Sequence, residues 1–212
     1  MRPKDKNAYI TSKMRDFPQN PYLNHRICEK CGGKCCKNGG CGLMTCDVPE
    51  MSVDGIRRML DTGKYSITFF CAGVEDEILP IPIINAREVD AGRVNNSIIR
   101  RPCALQGEKG CEFSDEQRPT MGLLYIPNAN GHCKVLVDAM EAFIDWYPYK
   151  AIMDEVVFKE TGKSSEELFY SGCVQAAMEI RQKLDMGIEL TEAEMNAITI
   201  LELTGTIMLL DE

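Results

Sequence analysis

The spacing of apolar residues predicts short helices and strands in the first two thirds of the chain. Apolar residues recur at helical spacing over residues 52–61, which predicts a helix there. Residues 65–74 are aromatic and β-branched, which is typical of a β-strand. Pro80 and Pro82 interrupt the apolar run over residues 78–84, so we expect that run to form an edge strand or an extended segment.

The last third of the chain is predicted to be helical. The pattern predicts helices over residues 135–147 and 151–160, and two longer ones over 164–186 and from Thr191 towards Leu210. Each longer helix opens with a Ser or Thr that is followed three residues later by Glu, which is a capping box. We expect five apolar positions of the first long helix to face the core: Leu168, Val174, Met178, Ile180 and Leu184.

A dense group of cysteines precedes the first predicted strand. Six of the chain's 11 cysteines lie between Cys28 and Cys46. The spacing Cys28-x2-Cys31-x3-Cys35-Cys36 places glycines between the pairs, and glycine permits the tight turns that bring thiols together. Thiolates repel one another unless a cation shares their charge. We therefore interpret the segment as metal-binding, and ordinary buried cysteines are the alternative.

A second group of cysteines lies far along the chain from the first. It consists of Cys103, Cys111 and Cys133. A glycine-punctuated turn separates the first two, which predicts a hairpin with Cys103 and Cys111 facing one another near its base. A metal ion bound by two distant groups would close a long loop and hold a loop-rich domain together.

These motifs carry a resemblance to a known family. The pattern C-x2-C-x-G-x-C-C, then Cys103, Cys111 and the pair Arg118-Pro119 after six intervening residues, resembles the CxxCxxCC or YkgJ-like cysteine-cluster proteins. That family is described as chelating zinc or iron. The resemblance covers about residues 25–135 and implies a metal site at these cysteines.

The chain departs from that family at one position. The family commonly has another cysteine shortly after the Arg-Pro pair, where this chain has Gly122. Cys133, which follows on a loop, is our candidate replacement.

The candidate ligands are eight thiols. They would suffice for one or two zinc ions in four-cysteine sites, or for iron or a 4Fe-4S cluster with spare ligands, and thiolates serve both metals. The neighbours Cys35 and Cys36 are not expected to point the same way, and Cys46 is a near-equal candidate for one of the places. The predicted ligands are Cys28, Cys31, Cys35, Cys36, Cys41, Cys103, Cys111 and Cys133.

Packing or surface roles are the first expectation for the remaining reactive side chains. Cys71 and Cys173 lie in apolar surroundings along the chain and are expected to pack in the core. The two histidines, His25 and His132, are expected to be surface residues rather than ligands or bases. Four carboxylates near the cysteines form an acidic surface or, in the sharper interpretation, supply an oxygen ligand or a base: Asp47, Glu50, Asp76 and Glu77.

Charge and composition restrict the partners. The 212-residue chain has a net charge of −8, which argues against nucleic-acid binding, and we expect the pair Arg100-Arg101 to be solvated surface. The polar opening residues and the lack of a membrane-length apolar run predict a cytoplasmic protein without membrane association, where thiols stay reduced. The acidic C-terminal helices are a candidate surface for a protein partner or for self-association.

The sequence predicts an α+β fold in three parts. These are an extended arm over residues 1–24, a cysteine-rich domain with short strands over 25–135 that a metal holds together, and a helical region over 136–212 packed on it. The first hypothesis is a metal-binding protein in which the metal's role is structural. The others are an iron–sulfur enzyme or electron-transfer protein using the same thiols, and an interaction module with the metal site as scaffold.

Overall fold

The computed structural model describes most of the chain, and the predicted α+β arrangement with C-terminal helices is confirmed. The boundaries of the three proposed parts stay predictions. The described residues are 5–14, 34–37, 39–74, 77–108, 110–114, 116–126 and 134–210.

Within those residues the longer helices lie in the C-terminal part. Short 3-10 turns cover Thr45–Asp47, Tyr147–Tyr149 and Thr206–Leu210. The helices are α1 (Lys6–Lys13), α2 (Lys34–Lys37), α3 (Val53–Asp61), α4 (Thr120–Leu123), α5 (Ala139–Trp146), α6 (Lys150–Thr161), α7 (Ser165–Asp185) and α8 (Glu192–Leu203). None of these helices is long and apolar enough to cross a bilayer.

The strands form three antiparallel pairs, β1–β2, β3–β4 and β5–β6. Pro80 and Pro82 lie opposite Cys71 and Phe69 in the first pair. The two prolines are two residues apart, so both occupy positions at which a backbone N–H would point away from the partner strand. Neither proline therefore removes a hydrogen bond between β1 and β2. The strands are β1 (Tyr65–Val74), β2 (Glu77–Ala86), β3 (Gln106–Gly107), β4 (Gly110–Cys111), β5 (Tyr125–Ile126) and β6 (Lys134–Val135).

The β1–β2 hairpin lies between two apolar cores. The first core packs the hairpin against α3, α5 and α6, and its centre is Trp146, whose Nε1 donates a hydrogen bond of 2.8 Å to the carbonyl oxygen of Leu43. The second core packs Ile98 and Ile99 against α7 and α8, with Phe69 and Cys71 of the hairpin beside it. Both cores are dominated by aliphatic and aromatic side chains.

The prediction of an extended N-terminal arm is wrong over Lys6–Lys13, which form α1. Asp5 caps this helix, because its side chain accepts a hydrogen bond from the Ala8 amide. The Tyr9 hydroxyl donates a hydrogen bond of 2.7 Å to Glu141 of α5. Contact with a distant helix therefore stabilises a segment whose own apolar pattern is weak.

Two predicted helix boundaries need correction. Helix α5 begins at Ala139 instead of residue 135, because residues 134–135 pair as β6 and Asp138 supplies the N-cap. Helix α8 ends at Leu203 because Gly205, with φ of 69°, turns the chain into a 3-10 segment. Both predicted capping boxes are confirmed.

The face of α7 that meets the core also differs from the prediction. Ile180 is buried and Leu168 is half-buried, but Val174, Met178 and Leu184 are exposed. The helix instead presents small residues to the core, and a Cβ on Gly172 would lie 1.8 Å from the Asn96 carbonyl oxygen. Close approach of two backbones thus decides which face is buried, and side-chain hydrophobicity alone did not reveal it.

Candidate metal centre

Backbone hydrogen bonds join the first cysteine group to the hairpin and to the second group. The Cys103 amide donates to the Cys36 carbonyl oxygen at 2.6 Å, and the Ala86 amide donates to the Cys41 carbonyl oxygen at 2.9 Å. Cys36 lies on α2 and Ala86 ends β2. Cys41 therefore lies beside the last residue of β2, and Cys36 lies beside Cys103.

Two glycines allow the chain before Cys41 to approach the end of β2 closely. A Cβ on Gly40 would lie 1.9 Å from the Ala86 carbonyl oxygen, so only a residue without a side chain fits there. Gly39 has φ of 118°, which other residues rarely adopt. The two glycines between Cys36 and Cys41 are thus required by the backbone conformation and by contact with β2.

The second cysteine group lies at a small hairpin, as the sequence predicts. The pair β3–β4 is antiparallel, and Cys111 lies opposite Gln106 rather than opposite Cys103. The Gln106 amide donates to the Cys103 carbonyl oxygen at 3.3 Å. The backbone of Cys103 also pairs with that of Glu88 in an isolated antiparallel β-bridge. Cys103 and Cys111 therefore do not face one another as predicted, because Cys111 pairs with Gln106, three residues after Cys103.

Four of the predicted ligands meet in one cluster. Cys103 is buried at 6% exposure beside Ala86 and Phe113, and Cys36, Cys41 and Cys111 pack against this group. The Phe113 ring stacks on Tyr65 with their centroids 5.7 Å apart. We call Cys36, Cys41, Cys103 and Cys111 the thiol cluster, which joins cysteines that lie more than sixty positions apart along the chain.

The other predicted ligands lie outside what can be described. Cys28, Cys31 and Cys133 are not among the described residues, and the Cys35 side chain is not described although its backbone belongs to α2. Within the described ranges, no three His, Cys, Asp or Glu side chains approach closely enough to hold a metal ion. No disulfide joins any two of the seven cysteines described there.

Gly122 lies directly against the thiol cluster. A Cβ on this residue of α4 would lie 2.9 Å from Cys41 Sγ and 3.6 Å from Arg118 Cγ. The departure of this chain from the cysteine-cluster pattern thus falls at a position that contacts a predicted ligand.

Cys46 belongs to a different part of the molecule. It packs with Met44 and Leu124, and its Sγ lies 3.5 Å from the Thr120 hydroxyl. Burial raises the pKa of the Cys46 thiol, although the contact with Thr120 works in the opposite direction. The structure therefore does not place Cys46 with the four thiols of the cluster.

Cys71 and Cys173 pack in the second core, as expected. Cys173 is fully buried, and burial raises the pKa of its thiol to about 11. Burial also raises the pKa of Cys71. Both thiols stay protonated near neutral pH, which suits packing and not metal ligation.

The pair Glu88 and Arg100 was missed by the sequence reasoning. Glu88 is buried at 1% exposure, and its Oε1 lies 2.7 Å from Arg100 Nε. Arg100 Nη2 donates to the Gly40 carbonyl oxygen at 3.1 Å, and the Arg101 amide donates to Glu88 Oε2 at 3.1 Å. The expectation that Arg100 is solvated surface is wrong, because its guanidinium contacts both Gly40, near Cys41, and Glu88, two residues after β2.

Asp47 holds the cysteine segment to α4. Its carboxylate accepts hydrogen bonds from the Met44 amide, the Thr120 amide and the Thr120 hydroxyl at 2.8 to 2.9 Å. Lys6 of α1 forms an ion pair with it at 2.8 Å. The Asp47 carboxylate therefore has a structural role, which is to join these segments.

Of the remaining acidic and histidine candidates, Glu50 alone has a described side chain. Glu50 forms an exposed ion pair with Arg58. Asp76, the Glu77 side chain and both histidines lie outside the described residues.

A small cavity of about 180 Å³ lies near the cluster and is lined in part by Lys6, Cys46, Asp47 and Tyr65. Pockets for drug-sized ligands are commonly about 300–1,000 Å³. The cavity is therefore smaller than a typical small-molecule site.

Comparison with protein-family models, with curated proteins and with solved structures finds no match to this chain.

Proposed function

We propose that this protein binds zinc or iron through clustered cysteine thiolates, and that the metal's main role is to hold the cysteine-rich part together. The observation that carries the proposal is that Cys36, Cys41 and Cys111, from distant parts of the chain, pack against the small buried group that contains Cys103. Their resemblance to the YkgJ-like pattern supports the same conclusion.

The charge of clustered thiolates and the small size of the local core both favour a bound metal. A thiolate is the form of cysteine that binds a metal, and several thiolates in one place need a cation. Among the described residues, the apolar group around the cluster has Ala86 and Phe113 as its buried hydrophobic members besides Cys103. A core this small gains stability when a metal joins its two cysteine groups.

The ligand set extends beyond the thiol cluster in this proposal. Cys28, Cys31, Cys35 and Cys133 would complete one or two four-cysteine sites. Iron, alone or as a 4Fe-4S cluster, uses the same ligand type, so it remains the alternative cofactor and would favour electron transfer or catalysis. Binding of a protein partner or self-association through the C-terminal helices, the absence of nucleic-acid binding and a cytoplasmic location stay predictions.

Elemental analysis of protein purified without oxygen, together with its visible spectrum, tests the proposal. We expect zinc or iron bound in a fixed ratio to protein, and a colourless preparation identifies zinc while a brown one identifies iron–sulfur. Protein that binds neither metal after reconstitution would contradict the proposal.

A matched pair of serine substitutions assigns the site. Cys103→Ser is expected to lower both metal content and thermal stability, because ligation and folding are linked. Cys173→Ser is the control, since Cys173 is equally buried but lies in the second core, and its metal content should equal that of the unmodified protein. Unchanged metal content in Cys103→Ser would remove this residue from the ligand set.

A further inference from the structure

Arg118 is a buried arginine with which no carboxylate of the described residues forms an ion pair. The residue is 8% exposed, and its Nε is buried without a hydrogen-bond acceptor. Among the described residues, no Asp or Glu forms an ion pair with it, in contrast to Arg57, Arg93 and Arg100. Burying a guanidinium without a counter-charge costs roughly several kcal/mol. Arginine does not avoid this by deprotonation, because the pKa of a guanidinium is far above neutral pH.

The backbone of Arg118 is held firmly in place. Its amide donates to the Ser114 carbonyl oxygen at 2.9 Å, and its carbonyl oxygen accepts from Lys6 Nζ at 2.8 Å. The burial of Arg118 is therefore built into the turn that precedes α4.

The side chain begins beside the thiol cluster. A Cβ on Gly122 would lie 3.6 Å from Arg118 Cγ and 2.9 Å from Cys41 Sγ, so both side chains approach the same face of α4. Phe113, which is buried beside Cys103, lies five residues before Arg118 in the chain.

A metal bound by thiolates would supply the missing negative charge. A zinc ion with four thiolate ligands has a net charge of −2, and a buried anionic centre needs N–H donors or a cation near its sulfurs. Asp47, which shares Lys6 as a partner with the Arg118 carbonyl oxygen, is already engaged by Lys6 and Thr120. The unmatched cation and the expected anionic centre therefore complement each other.

We propose that Arg118 is a positioning residue of the metal centre, which donates a hydrogen bond to a metal-bound thiolate, that of Cys41 first, and offsets the negative charge of the centre. The inference rests on the proposed function, because it requires a thiolate-bound ion. It also explains why Gly122 has no side chain, since a Cβ there would crowd Cys41 Sγ.

The test measures metal affinity with Co²⁺ as the probe, by competition with a chelator and by the thiolate-to-cobalt absorption band. Arg118→Met removes the charge and the donors but keeps the length of the side chain. We expect about 10- to 100-fold weaker affinity, with the same stoichiometry at saturation, because loss of a hydrogen bond to a metal ligand has this effect. We also expect a shifted absorption band and unchanged or higher stability of the metal-free protein.

Two further variants make the test specific. Arg118→Lys keeps the charge without the planar donor geometry, and it should recover part of the affinity. It also serves where Arg118→Met does not fold. Arg181→Met is the control, because Arg181 lies on α7 and pairs with Asp185 away from the thiols, and its affinity should equal that of the unmodified protein.

The outcomes separate this inference from the function beneath it. If the unmodified protein binds Co²⁺ through thiolates and both Arg118 variants bind it within about twofold of that affinity, Arg118 is a packing residue and the inference fails alone. If the unmodified protein gives no thiolate band, the proposed metal function fails and the inference fails with it. Lower stability of the metal-free Arg118→Met protein with unchanged Co²⁺ affinity would also overturn the inference.

Discussion

The thiol cluster and the α7–α8 pair are stabilised in different ways. Phe169, Cys173 and Ile180 of α7 and Leu201 of α8 are all fully buried, and a capping box begins each helix. Around the thiol cluster, two-residue strands and short turns surround a small buried group. The helical pair therefore has an apolar core of its own, whereas the cysteine region depends on specific bonds.

Those specific bonds are polar and long-range. Three hydrogen bonds each join segments that are distant along the chain: from Arg100 to the Gly40 carbonyl oxygen, from the Cys103 amide to Cys36, and from Thr120 to Asp47. A two-residue hairpin is not stable alone in water. Apolar burial thus accounts for the helical pair, whereas the described part of the cysteine region is joined mainly by polar contacts between segments.

Removal of the metal should produce the largest difference between the two regions. Structural zinc contributes on the order of 10 kcal/mol of apparent binding free energy in small zinc domains. We expect a chelator to expose the amides of residues 86–111 to hydrogen exchange while residues 165–185 keep their protection. Hydrogen exchange followed by mass spectrometry measures both regions in one sample, and readdition of metal is the control. Equal loss of protection in both would show that the regions are one cooperative unit.

Two glycine substitutions sharpen the comparison at a smaller magnitude. A Cβ would lie 1.9 Å from a carbonyl oxygen at Gly40 and 1.8 Å from one at Gly172, so alanine forces a backbone shift at either site. Each substitution should lower the free energy of unfolding by about 1–3 kcal/mol, as overpacking commonly does. Gly40→Ala should also weaken metal binding, because Gly40 lies between Cys36 and Cys41, whereas Gly172→Ala should leave it unchanged.

Gly73→Ala is the matched control for both, since nothing lies within 4 Å of a Cβ at this position. Its unfolding midpoint and metal affinity should match those of the unmodified protein. Equal loss of metal affinity in Gly40→Ala and Gly172→Ala would contradict the division between the two regions.

The same comparison separates what the sequence predicted from what it did not. The capping boxes at Ser164 and Thr191 were recognised because all their contacts lie within four residues. Glu88 and Arg100 were missed because their contact depends on a fold that brings separate segments together. The buried face of α7 was missed for the same reason, since Gly172 faces the core through contact with Asn96.

The convergence of the thiols lies between these cases. Spacing within the group that contains Cys36 and Cys41 identified local candidates, and resemblance linked them to Cys103 and Cys111. Their position at the end of β2 depends on hydrogen bonds of Ala86 that no local pattern reports. Local chemistry could therefore be predicted, whereas its location in the fold could not.

The smallest predicted effect lies at the helical pair and depends on pH. Glu194 is buried, which alone would raise the pKa of its carboxyl, but Lys183 and the donors of Thr191 outweigh burial and hold that pKa below its usual value. A lowered folded-state pKa contributes stability above the unfolded-state value, and this contribution is lost as the pH falls through the folded-state value. Glu194→Gln should therefore lower the free energy of unfolding by about 1 kcal/mol at neutral pH, with a difference that shrinks below about pH 4.5. Urea unfolding at pH 7 and pH 4 measures it, and because the cysteine region is not involved, a change in metal content would contradict the assignment of Glu194 to the helical pair.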